Sequence, residues 1–397
     1  MTGSQPALNA LNFFMADVRD GLGPFLGVYL QSEHWSPAEI GLVMTIGALV
    51  GMAATAPLGA LVDRIHEKRA MVAASAVVTV LASMVILFAP GFLNTAIAQA
   101  INGVAGAAIA PAIAGITLGL VGQKGYTHQI GRNEAFNHAG NVVAAVLAGV
   151  LGYAFGLGAV FAIMAAMALA SLVATWFIDP NKIDHRAARG LPDGKNDGHA
   201  TGWSTLAASR PLLVLSATLL LFHLGNAAML PLLGQSLAAR GGDPSAYTGA
   251  TIVVAQLTMV PIALLAARLA EVRGYWIVFL LALLALPVRG GIAAMVTGPF
   301  GLVPIQMLDG VGAGLLGVAV PGLVARILSG TGHVNAGLGV VMTMQGIGAA
   351  LSPAFGGWIA EKLGYAASFM TLGGVALVAL ALWLVTRPIT AEAAGKS

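Results

Sequence analysis

The sequence predicts an all-α membrane protein with 12 transmembrane helices, built as two six-helix bundles in a pseudo-twofold 6+6 arrangement. Three observations predict this class. The chain has few charged residues, it contains a regular series of apolar segments long enough to cross a bilayer, and a repeat relates its two halves. Together they exclude a soluble globular fold.

The composition places most of the protein surface in lipid. Of the 397 residues, 58% are hydrophobic and 9% are charged, whereas soluble domains carry about 25% charged residues. The 52 glycines fit a membrane bundle, because its helices pack through small residues. The chain has no cysteine, which excludes a thiol nucleophile, a thiolate metal site and a disulfide. The net charge of +3 is loop charge, so we expect no nucleic-acid partner.

Twelve segments are long and apolar enough to span a bilayer, which takes about 20 residues. They are residues 8–31, 37–62, 70–90, 93–121, 132–153, 158–178, 211–236, 245–267, 275–294, 300–325, 335–359 and 365–386. The stretch between the sixth and seventh is polar and rich in turn residues. The predicted domains are therefore an N-terminal bundle (1–178), a cytoplasmic linker (179–210) and a C-terminal bundle (211–397).

The placement of Lys and Arg predicts the orientation, because these residues are enriched in cytoplasmic loops. With both termini in the cytoplasm, only Arg240 and Lys362 fall in outer loops, and Arg19 and Arg289 fall within helices. Residues 1–7 contain no Lys or Arg, so the first apolar segment is expected to be retained as a helix. We expect a monomer in a bacterial inner (cytoplasmic) membrane, with both termini in the cytoplasm.

An internal repeat relates the halves at an offset of 207 residues, the spacing from Pro24 to Pro231. At this offset residues 99–104 meet 306–311, and Pro37 meets Pro244. A shared offset through several helices predicts two bundles with the same orientation. Duplicated bundles are typical of alternating-access transporters.

This layout resembles the major facilitator superfamily of secondary transporters. Residues 59–69 are similar to the signature G-x-L-x-D-R-x-G-R-K/R of the loop after its second helix, with Gly59, Asp63 and Arg64 matching and His66 in place of the second glycine. The resemblance implies that Asp63 caps a neighbouring helix and latches the outward-facing state. It also implies that a helix break near Pro231 acts in gating.

Two further stretches bear on the direction and the coupling of transport. Residues 348–357 resemble the antiporter motif G-x-x-x-G-P-x-x-G-G, with Ser352 for one glycine and Pro353 retained, and this motif favours efflux. In the family it diagnoses antiporters when it lies in the fifth helix, whereas here it lies in the eleventh segment. In the fourth segment Gln99 stands where the family often has an arginine linked to proton coupling.

The first segment contains ionisable residues near its middle. Such residues cost about 2.5–3.5 kcal/mol each on insertion scales, so each needs a reason. Asp17 and Asp20 lie about 60° apart on one helix face, and Arg19 points about 200° away from Asp17. One carboxylate could face a central cavity and bind a proton or a cationic substrate group. The alternative is a structural ion-pair network around Arg19.

The fifth segment carries a polar stripe on one face. Glu134, Asn137, His138 and Asn141 fall within an arc of about 100°, and Arg132 lies on the opposite side near the inner boundary. The stripe is predicted to line a cavity, and His138 suits proton exchange. A buried helix contact is the alternative, and Glu134 could instead be a cytoplasmic gate residue.

The second half has fewer candidates. His223 and Asn226 share a face of the seventh segment, and Asp309 is the only carboxylate within the spans of the second bundle. We expect Asp309 to act in the site, or to pack against the eleventh segment. Arg289 is expected to snorkel at the outer end of the ninth segment. Further candidates are Gln256, Gln306 and Gln345.

The sequence thus predicts a secondary active transporter of a small organic solute, coupled to protons, with efflux favoured. No G-x-x-x-x-G-K-[ST] and no H-E-x-x-H occurs, and we expect no catalytic residue, cofactor or bound metal. The alternatives are an uptake symporter of a small polar or charged metabolite and, more remotely, an intramembrane enzyme or a channel. The expected partners are the substrate, protons and membrane lipid.

Overall fold

The computed structural model describes residues 4–20, 22–185, 209–296, 298–328 and 334–394, and all regular structure in these ranges is helical. The α-helices are α1 Ser4–Asp20, α2 Leu22–Ser32, α3 Pro37–Arg64, α4 Lys68–Phe88, α5 Phe92–Phe155, α6 Gly158–Trp176, α7 Arg210–Asn226, α8 Met229–Ala238, α9 Pro244–Arg273, α10 Tyr275–Met295, α11 Leu302–Ile327, α12 Val334–Leu363, α13 Tyr365–Val385 and α14 Arg387–Ala394. Two 3₁₀ turns occupy Pro180–Lys182 and Pro299–Gly301.

Eleven stretches of the described chain are long and apolar enough to cross a membrane, and they overlap the second to twelfth predicted segments. Helix α5 holds two of them, Phe92–Gly122 and Gln129–Phe155, and Gly122 between them has a non-helical backbone (φ 63°, ψ 177°). Helices α7 and α8 together form one, Arg210–Ala238. The first predicted segment is helical on both sides of residue 21, as α1 and α2. The protein therefore has the predicted twelve-span, all-α architecture.

Backbone contacts divide the chain into two compact units. The first unit contains residues 1–33, 46–198 and 244–249, and the second contains 34–45, 199–243 and 250–397, as far as these are described. The starts of α3 and α9 thus group with a different unit from the rest of their helices. Most of the predicted linker, residues 186–208, lies outside the described residues.

Glycines set the close helix contacts within the first unit. A Cβ at Gly103 of α5 would collide with the carbonyl of Gly47 in α3, and one at Gly140 would collide with the carbonyl of Phe13 in α1. Helices in lipid gain no hydrophobic energy from contact, so close backbone approach through small residues contributes much of their packing.

The second unit uses the same device. A Cβ at Gly348 of α12 would collide with the carbonyl of Leu220 in α7, and one at Gly290 of α10 would meet the carbonyl of Phe369 in α13. Ser352, next along α12, accepts a hydrogen bond from the backbone N–H of Ala228 (2.9 Å). Part of the antiporter-like stretch therefore holds the interruption between α7 and α8.

The signature loop joins α3 to α4 and is built on its basic residues. The Lys68 ammonium is buried and donates to the carbonyls of Val62 (2.5 Å) and Ile65 (3.0 Å), so it caps the end of α3. His66 keeps a negative φ, since His34 is the only described non-glycine residue in the left-handed region (φ 67°). This loop conformation does not require glycine at position 66. The side chain of Asp63 lies outside the described residues.

Candidate functional site

Polar side chains from three helices converge on a buried guanidinium in the second unit. Nη1 of Arg289 on α10 donates to Oδ1 of Asp309 on α11 (2.7 Å) and to Oδ1 of Asn226 on α7 (2.7 Å). Its Nη2 donates to Oε1 of Gln306 on α11 (3.3 Å). Arg289 is 1% exposed. We refer to Asn226, Arg289, Gln306 and Asp309 as the arginine cluster.

The local structure explains how these residues meet. Gln306 and Asp309 are three residues apart on α11 and therefore occupy one face. Asn226 is the last residue of α7, beside the interruption that precedes α8 at Met229. Gly290, which follows Arg289, allows α10 to pack closely against α13.

The two opposite charges of the arginine cluster compensate each other, and two of its N–H donors remain without an acceptor among the described residues. The Arg289–Asp309 ion pair and its amide partners offset the cost of removing two charges from water. Within the described residues, Nε of Arg289 and Nε2 of Gln306 donate no hydrogen bond. Asp309 is 17% exposed, so its carboxylate is the accessible charged group of the cluster. The arrangement can offer a polar solute both donors and a carboxylate.

One expectation for this region is wrong. Arg289 does not snorkel, because a carboxylate on the neighbouring helix pairs with it in the interior. The partner of Asp309 is accordingly α10, a contact that the sequence did not predict. Both Arg289 and Asp309 stand out in the sequence, but no local pattern shows that residues 20 positions apart on separate helices are in contact.

The other candidates of the second unit flank this cluster. His223 is one turn before Asn226 on α7, and its Nδ1 lies 3.0 Å from the carbonyl of Leu219. Its ring meets Phe222 edge-on, with 5.4 Å between centroids. Pro231 lies in the first turn of α8, directly after the interruption. Gln256 and Gln345 are both half-buried.

The first unit buries a carboxyl group that has no cationic partner among the described residues. Asp17 on α1 is 5% exposed, and its Oδ2 accepts no hydrogen bond from the described residues. Arg19 is exposed, on another face of the helix, and the side chain of Asp20 lies outside the described residues. Gly140 approaches α1 beside Phe13 and Ala16, so the second span of α5 packs against α1 at the level of Asp17.

The polar stripe of α5 lies on the side of the helix opposite its exposed apolar face. Glu134 is exposed, whereas Asn137, His138 and Asn141 are half-buried. Phe136 is also exposed and points about 200° from Glu134. The polar stripe is therefore mostly half-buried, whereas the opposite, apolar face of the helix is exposed.

Sequence reasoning missed a buried amide network in the first unit. Nε2 of Gln129 donates to Oδ1 of Asn9 (2.9 Å) and to Oδ1 of Asn133 (3.0 Å), and Nδ2 of Asn133 donates to the hydroxyl of Thr117 (2.9 Å). The network joins α1 to both spans of α5. The four-residue spacing of Gln129 and Asn133 was a detectable signal, but Asn9 and Thr117 are distant in sequence.

No group of three or more His, Asp or Glu side chains in the described part of the chain could hold a metal ion. The gate candidates Gly59 and Arg64 lie in the last turns of α3, and Pro353 lies within α12, next to Ser352.

The chain matches the family model of the Major Facilitator Superfamily over residues 8–303 and 276–397. Two proteins from strains of Mycobacterium tuberculosis, the uncharacterized MFS-type transporters Rv2456c and MT2531, are each 44% identical over 390 residues. The match covers 97% of this chain and 93% of each relative.

Solved structures resemble the chain along nearly its whole length. A mutant of the nucleoside transporter NupG has a TM-score of 0.80 at 14% identity, covering 96% of this chain and 99% of that one. A bacterial homologue of the human lysosomal transporter Spinster, inward-facing and unoccupied, has a TM-score of 0.77 at 14% identity, covering 99% and 98%. At such identities these likenesses show the fold alone. The match to the family model and the 44% identity of the mycobacterial relatives together establish that the chain belongs to the major facilitator superfamily and is a membrane transporter, not an enzyme.

Proposed function

We propose that this protein is a proton-coupled transporter that exports a small polar organic solute by alternating access. The arginine cluster binds the solute, and Asp17 carries the proton. His223 and the α5 stripe of Glu134, Asn137, His138 and Asn141 line the path. Arg19 and Asp20 of α1 also belong to the proposed site. Gly59, Asp63, Arg64, Pro231 and Pro353 belong to the conformational latch. We place both termini in the cytoplasm and the monomer in the inner membrane.

The observation that carries the proposal is the Arg289–Asp309 ion pair inside the spans. An arginine or aspartate at mid-span costs several kcal/mol to insert, and buried pairs replaced by apolar residues are often equally stable. Packing alone therefore gives little reason to keep four polar side chains together in the interior of a membrane-spanning bundle. A solute with donor and acceptor groups supplies that reason, because it can bond to the free donors and to the Asp309 carboxylate.

Asp17 supports proton coupling through its isolation. A buried carboxylate without a donor or a cation pays the full loss of hydration, so uptake of a proton is the simplest compensation. If the group is alternately buried and hydrated during the transport cycle, it binds and releases a proton each time. A ligand biases such an equilibrium by its differential affinity for the two states.

Export is supported by the antiporter-like stretch of α12, which includes Gly348 and Pro353. Ser352 within it bonds to the α7–α8 interruption, next to Asn226 of the arginine cluster. Movement at the interruption would therefore displace Asn226 and change the solute site. This link between the helix junction and the polar cluster is what a gated site requires.

Transport in proteoliposomes tests the proposal. Uridine, glutamate, succinate and glucose serve as labelled probes, and pyranine in the lumen reports pH. For the transported probe, a proton antiporter releases preloaded solute faster when the outside is acidic, with acidification of the lumen. Accumulation of the solute in the lumen when the outside is acidic would show proton symport and would contradict export. Solute movement that ignores the pH gradient would overturn proton coupling.

The double variant Arg289→Gln with Asp309→Asn tests the solute site. It keeps the polar shape and removes both charges, so it is expected to fold and to lose solute-dependent proton movement. Retention of wild-type transport by this variant would remove the arginine cluster from the mechanism.

A further inference from the structure

A groove crosses α1 at the membrane face where that helix begins. Its larger part, about 760 Å³, lies between α1 and α6, and its smaller part, about 470 Å³, lies between α1 and the second span of α5. The two parts share Pro6, Ala10 and Phe14. The Ser4 hydroxyl accepts a hydrogen bond from the N–H of Asp179 (3.3 Å), which places the start of α1 beside the end of α6. All of these residues belong to the first unit.

Arg132 lines the smaller part of this groove, on a face of α5 whose other exposed side chains are apolar. At 100° per residue, the exposed side chains of Phe136, Val143, Leu147 and Val150 lie within about 60° of it. Among the described residues Arg132 has no hydrogen bond and no ion pair. Glu134, the nearest carboxylate along the helix, points about 200° away.

The groove combines this cation with an apolar floor. Phe13 and Phe14 pack edge-on with 5.1 Å between ring centroids, and Ala10 and Leu169 extend the apolar lining toward α6. The exposed Trp176 ends α6 at the same level, as aromatic residues do at a membrane–water interface. Such a surface suits an acyl chain below and a polar headgroup above.

The local charges favour a negative headgroup. The Arg69 guanidinium at this end of α6 donates to the carbonyls of Thr175 (3.1 Å) and Trp176 (3.2 Å), and no carboxylate among the described residues pairs with it. Asp179 lies 3.9 Å from the ammonium of Lys182 and is compensated by it. Arg132 and Arg69 therefore leave an excess of positive charge around the groove, and a guanidinium binds a phosphate group in a bidentate manner.

We propose that this groove is a binding site for an anionic phospholipid of the leaflet on the side where α1 begins. The lipid phosphate binds Arg132, and one acyl chain lies against Ala10 and Phe14 toward Leu169. The occupant satisfies a guanidinium that would otherwise lie unpaired among apolar side chains. The site is separate from the arginine cluster and does not depend on the proposed direction or coupling of transport.

The test measures the thermal unfolding midpoint of the full-length protein in detergent, titrated with phosphatidylglycerol, phosphatidylcholine or inorganic phosphate, without any transported solute. Phosphatidylglycerol is expected to raise the midpoint at lower concentration than phosphatidylcholine. Arg132→Gln should weaken the phosphatidylglycerol response about fivefold, the size expected for one basic residue at an anionic surface, and Arg132→Lys should keep most of it. Arg326→Gln is the control, since Arg326 is exposed in the last turn of α11 in the second unit.

Three outcomes would overturn the proposal. They are an unchanged phosphatidylglycerol response in Arg132→Gln, an equal loss in Arg326→Gln, and full stabilisation by inorganic phosphate alone. If Arg132→Gln does not fold, Ala10→Phe fills the groove while keeping the arginine. It should abolish the preference for phosphatidylglycerol, and retention of that preference would count against the site equally.

Discussion

The two units bury ionisable groups in different ways. In the first unit Asp17 is 5% exposed and its Oδ2 has no donor among the described residues. In the second, Arg289 is 1% exposed but bonds to Asp309, Asn226 and Gln306. Loss of one member of an ion pair leaves the other as an uncompensated buried charge, which is destabilising. An isolated buried carboxyl group can instead become neutral by binding a proton. Removing one charge should therefore lower the free energy of unfolding strongly in the second unit and hardly at all in the first.

The largest expected change in stability comes from Asp309→Ala. It leaves Arg289 buried without its counter-ion, and breaking a buried pair costs about 3–5 kcal/mol. The free energy of unfolding from a dodecyl sulfate titration in mixed micelles measures the effect. The double variant Arg289→Leu with Asp309→Leu should recover most of the loss. A double variant as unstable as Asp309→Ala would contradict the account of the pair.

The next largest effect is expected from Gly140→Ala. The new methyl group would collide with the carbonyl of Phe13, and overpacking of this kind costs about 1–3 kcal/mol. Gly106→Ala is the control in the same unit, because no neighbouring group lies within 4 Å of the position that its Cβ would occupy. The control should be neutral or stabilising by up to about 1 kcal/mol. Equal unfolding midpoints for the two variants would show that this glycine contact does not limit packing.

A smaller effect is expected from Ser352→Ala, which removes the hydrogen bond to the N–H of Ala228. The cost should be about 1 kcal/mol, at the low end of the range for a buried N–H that loses its partner, because the helix junction can relax. Hydrogen exchange should then rise at residues 227–228 more than in the middle of α7. Unchanged exchange at the junction would mean that α12 does not hold it.

The smallest expected change in stability belongs to Asp17→Asn. The amide keeps the shape of the protonated carboxyl group, so the free energy of unfolding should change by less than about 1 kcal/mol. Gradient-driven transport should nevertheless fall at least about tenfold, whereas solute counterflow, which needs no net proton movement, should persist. Glu271→Gln, at an exposed position near the end of α9, is the comparison. A loss of counterflow in Asp17→Asn would move Asp17 from proton coupling to solute binding.

Much of the fold was predictable, and the site only partly. Each predicted segment is helical in the described residues because apolar length is a local property of the chain. Asp17 was a candidate because a carboxylate in an apolar run is conspicuous in sequence. The pairing of Arg289 with Asp309 was missed, as was the contact of Asn9 with Gln129, because each depends on which helices are neighbours and how each is rotated.

The sequence by itself determined that the chain lies in a membrane, that it crosses twelve times and that its halves are related, since hydration cost and helix length act along the chain. The tertiary structure decided which buried charges are compensated. It placed Arg289 beside a carboxylate, left Asp17 with no cation among the residues that the structure describes and turned Arg132 toward the apolar groove at α1. Electrostatic compensation depends on distances between atoms of different helices, and those distances exist only once the bundle has packed.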